Sequence, residues 1–389
     1  MTPREAYDII VRDAISIYSK EGLLEKLESG KKLVIKMGAD PSRPDLHLGH
    51  SVVLRKLRML QDLGHQIVFI IGDFTAMIGD PSGRSKTRVP LTFEQTRANA
   101  QSYLEQVTKI LDPEKTRIVY NSEWLGEMKF GDVLSLAGKY TLARILERDD
   151  FAKRYAENAP IGLHEIFYPL MQGYDSVAVK ADIEVGGNDQ TFNLLVGREL
   201  QRDYGQQPQE VITFPLLPGL DGVEKMSKSL GNYIGIDEPA DVMFEKCMKV
   251  PDALLKTYFD LTTDLPESEY AGLIESDIRA ALFLYARTIV RMYCGEEAVA
   301  PAELRYRNVA GGGVPDNIET FELPCGTRLA DAMRLSGLAP SNSEAGRLIS
   351  GGGVKVDGKQ VTDRGFVFAD TGEYVVQKGK NKFAKLNIK

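Results

Sequence analysis

The chain has 389 residues, 43% of them hydrophobic and 26% charged, as in an ordinary globular protein of two or three domains. No apolar run approaches the ~20 residues of a membrane span, and MTPREAYDII lacks the basic-then-apolar form of an export signal. Three scattered cysteines (Cys247, Cys294, Cys325) argue against a disulfide framework or a cysteine-rich zinc site, and for a cytoplasmic setting. The net charge of −7 hides an asymmetry. From Gly326 onward eleven basic side chains face six acidic ones, against thirty-seven and forty-nine in the remainder. A basic appendage on an acidic body suits a polyanionic partner, although charge alone fits a solvated tail equally well.

In chain order, residues 3–29 read as one opening helix closed by a Gly-Lys-Lys turn. KLVIKM reads as a short buried strand, and GADPSRPDLHLGH as the loop after it. SVVLRKLRMLQDLG puts Val53, Leu57 and Leu60 on one helical face. HQIVFIIGDF is the next apolar strand, followed by the loop TAMIGDPSGRSKTRVP. This strand–loop–helix–strand order is that of βαβ units in a parallel sheet, whose ligands bind beyond the C-terminal strand ends. Both loops lie at such ends. Residues 91–160 read as largely helical, VITFPLLPGL as a strand ending at DGVEKMSKSLGN, and Glu238 to Ala300 as helical again. NVAGGGVPDN is the linker candidate. Beyond it stand a helical pair, TRLADAMRLSG and SNSEAGRLISGG, and short strands, VKVDGK, FVFAD, EYVVQKG and KFAKLNI.

Two stretches carry chemistry. In HLGH, His47 and His50 open a helix, three residues apart with no acid between them. Helical zinc sites want a spacing of four with a Glu inside, so no metal site is expected. A phosphate clamp fits better. A helix start offers N–H groups and partial positive charge, and Gly49 lets a nucleotide lie close. In EKMSKSLGN, Lys225 and Lys228 sit on a Gly- and Ser-rich loop that can close on a polyphosphate. Alone, that loop reads as a solvated turn; with HLGH upstream, the solvated turn becomes implausible. A third stretch, FYPLMQGYDSV, places Tyr168, Gln172 and Asp175 on one helical face, offering an aromatic wall, an amide and a carboxylate.

HLGH and KMSKS resemble the two signature motifs of class I aminoacyl-tRNA synthetases, and FYPLMQGYDSV is similar to the tyrosine pocket of the tyrosyl-tRNA synthetases. The resemblance covers effectively the whole chain. It implies that Asp175 accepts a hydrogen bond from the substrate phenol and that Tyr168, Gln172 and Asp80 hold its ammonium group. It further places Asp40 near the amine and ATP, Gly187 and Asp189 at the ribose, and Gln190 by the substrate carboxylate. Arg84 and Arg88 match cationic positions on a loop that closes over pyrophosphate. Lys36 departs from the pattern: many relatives have a Tyr there that touches the phenol, so its place in the tyrosine site is an expectation only.

The resemblance implies an α/β architecture in three parts. Residues 1–235 would form a Rossmann-like parallel-sheet catalytic domain with a helical insertion near 120–160. Residues 236–315 would form a helical anticodon-binding domain and linker, and 326–389 a small α+β RNA-binding module. The implied reaction is activation of L-tyrosine by ATP, accompanied by Mg²⁺, and transfer to tRNA(Tyr), in a homodimer. A tryptophan-specific relative, a small-molecule adenylyltransferase and an RNA-binding protein with a dead core are the alternatives.

Overall fold

The computed structural model describes residues 1–41, 46–82, 92–310, 318–379 and 382–389. They form two compact units: residues 1–239 with 246–289, and residues 240–245 with 290–389.

The first unit is built on a six-stranded sheet: β1 (Ser16–Tyr18), β2 (Val34–Ala39), β3 (Gln66–Ile71), β4 (Thr116–Tyr120), β5 (Ile183–Gly187) and β6 (Glu210–Phe214), in the order β1-β6-β5-β2-β3-β4. All neighbours run parallel except β1, which pairs antiparallel with β6 through Ser16–Thr213 and Tyr18–Val211. The central strands are covered on both faces, which is why QIVFII and EVITF are nearly continuous apolar runs rather than alternating ones. Between β2 and β3 runs the Leu48–Asp62 helix, with Leu48, Val52, Leu57 and Leu60 in the core.

The single opening helix is corrected to two, Pro3–Asp13 and Lys20–Glu28, on either side of β1. Thr2 and Glu5 form a capping box at the first, and Ser19 caps the second. Helical spacing of apolar residues continues through the break. What interrupts the helix is a distant edge, β6, that needs a partner. Strand β4, TRIVY, likewise interrupts the region read as helical.

Two helices cross beside β5, Leu163–Val179 and Thr191–Asp203, and they approach closely at Gly173. A methyl group there would lie 2.9 Å from Leu200 Cδ1, 3.0 Å from Val196 Cγ1 and 3.1 Å from the Gly197 nitrogen.

In the second unit, a five-stranded sheet is formed by β7 (Thr320–Leu323), β8 (Val354–Val356), β9 (Lys359–Gln360), β10 (Gly372–Lys378) and β11 (Lys382–Ile388), ordered β7-β11-β10-β8-β9. It packs with the helices Leu329–Leu335 and Asn342–Ser350 around Leu329, Met333, Ile349, Phe368 and Leu386. FVFAD, expected as a strand, makes only a bridge from Val367 to Arg328. Its alternate apolar residues instead serve to bury Phe368 in this core. β7 takes the edge beside β11, in parallel.

Candidate functional site

The sheet order reverses between β5 and β2, the switch point of an open α/β sheet, where the C-terminal strand ends leave a crevice. A cavity of about 650 Å³ opens there, lined at its floor by Gly38 and Ala39 of β2 and Gly186 and Gly187 of β5. Every described candidate site residue from the sequence lines it except Lys36. Arg84 and Arg88 lie outside the described residues.

At one end stands the Leu48–Asp62 helix with His47 as its N-cap. Gly49 N–H donates to His47 Nδ1 and His47 N–H donates to His50 Nδ1, each at 3.2 Å. A ring nitrogen that accepts a backbone proton carries none of its own, so both imidazoles bear theirs on Nε2. Burial drives both rings toward neutrality, helped by Lys225 at both and by His50 at His47, while the hydrogen bond from the His47 backbone opposes it at His50: His47 is pushed down to about 2 and His50 to about 4. The helix-start amide at Gly49 is thus engaged by a histidine. What this end presents is a pair of neutral N–H donors with ring centroids 4.0 Å apart. Gly49 is needed for that: a Cβ there would stand 3.0 Å from the His47 ring.

The lysine loop is tied across from them. Leu48 N–H donates to Ile234 O at 2.9 Å, Ile236 N–H to Leu46 O at 3.2 Å, and His47 bridges to Gly235. Met226 is buried and donates through its N–H to Leu217 O at 2.8 Å, while Asn232 accepts from Ser227 N–H. Lys225 Nζ lies 2.7 Å from Asp189 Oδ2, and Lys228 Nζ sits 5.2 Å above the Tyr233 ring.

The other end is a hydrogen-bonded polar wall. Asp40 accepts from Thr75 Oγ1 (2.7 Å) and from the Tyr168 hydroxyl (3.0 Å). Burial and the neighbouring carboxylates hold that phenol well above its ordinary range. Asp80 accepts from Ser82 N–H and Oγ, from Gln190 Nε2 at 2.7 Å and from Arg148. Burial pushes its carboxyl up, but Arg148 and these donors outweigh it and hold it below the usual value. Asn193 Nδ2 donates to Gln172 Oε1 (2.9 Å) and to Gln190 Oε1 (3.0 Å), fixing both amides.

Asp175 is buried at the deep end. Trp124 Nε1 donates to its Oδ1 at 2.8 Å and Asn121 Nδ2 to its Oδ2 at 3.3 Å. Burial raises its carboxyl to about 7, opposed by Lys36 and by these two hydrogen bonds. Lys36 itself is wholly buried, its Nζ directed to Glu184, Ser176 and the Gln172 carbonyl rather than to the cavity.

Sequence reasoning missed Asn121, Trp124, Arg148 and Glu184. Asn121 follows β4 directly, so recognising TRIVY as a strand would have placed it at a C-terminal strand end. Trp124 is the single tryptophan of the chain, a signal in itself. Arg148 carries no local mark.

A crevice with proton donors and lysines at one end, and with amides and carboxylates at the other, equips an enzyme to join a nucleotide to a small polar molecule. The family pattern described as tRNA synthetases class I (W and Y) matches residues 28–309, and that of the S4 domain matches 327–368. A tyrosine–tRNA ligase of Deinococcus radiodurans is 52% identical, covering 98% of this chain and 96% of that protein. One from Geobacter sulfurreducens is 50% identical over 100% of both. Among solved structures, a tyrosyl-tRNA synthetase from Archaeoglobus fulgidus, complexed with L-tyrosine, has 25% identity and a TM-score of 0.62, covering 76% of this chain and 99% of that one. A truncated mitochondrial enzyme of Aspergillus nidulans shares the fold, with a TM-score of 0.64 at 21% identity over 78% of this chain and 98% of that one. The chain belongs to the class I tRNA synthetases for tryptophan and tyrosine.

Proposed function

We infer that the chain is a tyrosine–tRNA ligase and that the described cavity is where it forms tyrosyl-adenylate. The observation that carries this is the meeting, in one cavity, of His47, His50, Lys225 and Lys228 with Tyr168, Gln172 and Asp175. The tyrosine phenol donates to Asp175. Its ammonium group meets Tyr168, Gln172 and Asp80, with Asp40 close by, and Gln190 lies at its carboxylate. Gly187 leaves room for the ATP ribose, whose hydroxyls take Asp189 in the place now held by Lys225. Lys36 acts from outside the cavity.

The tyrosine carboxylate attacks the α-phosphorus, a P–O bond forms, and pyrophosphate leaves with the electron pair of the broken bond. Mg²⁺ enters on the phosphates as part of that substrate. The tRNA ribose hydroxyl then attacks the tyrosyl carbonyl and AMP departs. No side chain is acylated, so the rate comes from positioning and charge stabilisation. The Nε2–H groups of His47 and His50 donate to phosphate oxygens, and the two lysines neutralise the charge that builds on pyrophosphate. By family likeness, Arg84 and Arg88 share that task.

Residues 1–235 are the catalytic part, 236–315 the helical anticodon-binding part and 326–389 the RNA-binding module. Phe130, Leu134, Leu142 and Leu163 are large apolar side chains left exposed in and beside the insertion, which supports a homodimer through that face. The described residues hold no disulfide, and none of their helices is long and apolar enough to cross a membrane; both features suit work in the cytoplasm. Exchange of labelled pyrophosphate into ATP tests the reading: L-tyrosine should support it, and tryptophan and phenylalanine should not. Exchange driven by tryptophan overturns it.

A further inference from the structure

Lys36 is wholly buried in the middle of β2. Its Nζ lies 2.7 Å from Glu184 Oε1 on β5, and donates to Ser176 Oγ at 2.8 Å and to the Gln172 carbonyl at 3.0 Å. Three donors meet three acceptors, and the two on the Leu163–Val179 helix bracket Asp175. Glu184 is engaged as fully, accepting at Oε2 from Ser176 Oγ (2.9 Å) and from Gln209 Nε2. A buried ion pair is costly to desolvate, and apolar residues of similar volume often hold strands together as well or better. They could not impose a field on Asp175.

The charged groups acting on Asp175 are Lys36 from β2 and Glu184 from β5. From the Ser122–Leu125 helix and its cap come the uncharged donors Trp124 and Asn121, and Tyr168, on its own helix, donates to Asp40. Against the burial that raises the carboxyl, Lys36 is the largest opposing influence, while Glu184 adds to the rise.

We propose that Lys36 is a positioning residue for amino-acid selection: clamped by Glu184 across the turn that carries Asp175, its ammonium keeps that carboxylate a hydrogen-bond acceptor. The pocket then takes a side chain that donates a proton and refuses one that cannot. The inference rests on the reading that Asp175 receives the substrate hydroxyl.

The test is the pH dependence of kcat/KM for tyrosine in pyrophosphate exchange, with KM for ATP as a second readout, in the full-length chain. Lys36→Met should move the acid limb to higher pH by about one unit, with an approximately fivefold rise in KM for tyrosine at pH 7 that alkaline pH reverses. Glu184→Gln leaves the cation and removes the opposing anion, so the limb should move to lower pH. KM for ATP should hold within about twofold in both, one pH unit being worth about tenfold. A merely structural pair predicts impairment in the same direction from either substitution. An unmoved limb, shifts of the same sign, or a parallel rise in KM for ATP overturns the proposal. Should Lys36→Met fail to fold by circular dichroism, Glu184→Gln decides alone: a downward shift upholds the proposal, any other result overturns it. Asp175→Asn separates the two claims. Loss of the limb there upholds the reading of Asp175, whereas a persisting limb removes that reading whatever Lys36 does.

Discussion

Asp175 shows how one buried side chain sets two properties of the enzyme. Truncating it in Asp175→Ala leaves Trp124 Nε1 without an acceptor, Asn121 Nδ2 with Thr75 Oγ1 alone, and the substrate hydroxyl without a partner. Losing a hydrogen bond to a charged group costs about 1.5–3 kcal/mol, so the tyrosine-over-phenylalanine ratio of kcat/KM should fall ~10- to 100-fold. An unchanged ratio removes Asp175 from selection. The same carboxyl also links folding to pH. Burial raises it to about 7, so between about pH 4 and pH 7 the folded chain keeps a proton that the unfolded chain releases. Stability therefore falls as pH rises through that window. Denaturant unfolding of Asp175→Asn should show a shallower fall than the unsubstituted chain; parallel pH curves would contradict this.

At the scale of elements, the crossing of the Leu163–Val179 and Thr191–Asp203 helices carries Gln172, Asp175 and Asn193 together. Gly173 stands at that crossing, where a methyl would press on Leu200, Val196 and the Gly197 backbone. Gly173→Ala should gain up to ~1 kcal/mol in helix propensity and lose about 1–3 kcal/mol to overpacking. The expected outcome is a lower melting temperature and a higher KM for tyrosine, read by calorimetry and pyrophosphate exchange. Such crossings explain what sequence alone reveals. The βαβ run from KLVIKM to HQIVFIIGDF is legible because those strands are buried on both faces and the helix between them keeps an apolar stripe. Strands β1, β4 and β7 are short edge strands, defined by the neighbour they complete rather than by their own pattern. At the site, His47, Lys225 and Asp175 stand in stretches whose spacing already speaks. Glu184 reaches the cavity wall, and Trp124 and Arg148 reach the Asp175 and Asp80 that line it, only through the tertiary fold, from elements with no periodic mark of function.

Over the whole molecule, acidic body and basic terminus divide the work. Lys355, Lys359 and Lys382 are exposed on the second sheet. Replacing all three with Gln should leave pyrophosphate exchange unchanged while slowing tRNA charging, and should lower the salt sensitivity of charging, because each lost phosphate contact releases one counterion fewer. Equal charging rates would show that this face does not meet RNA. The capped histidines have a consequence at this scale as well. Their rings give up the acid-sensitive nitrogen to the backbone, so the histidine pair at the nucleotide end stays neutral across the physiological range while Asp175 at the amino-acid end titrates within it. Mild acidification therefore dismantles the two recognition tasks in a fixed order: discernment of tyrosine fades first, and the grasp of ATP outlasts it.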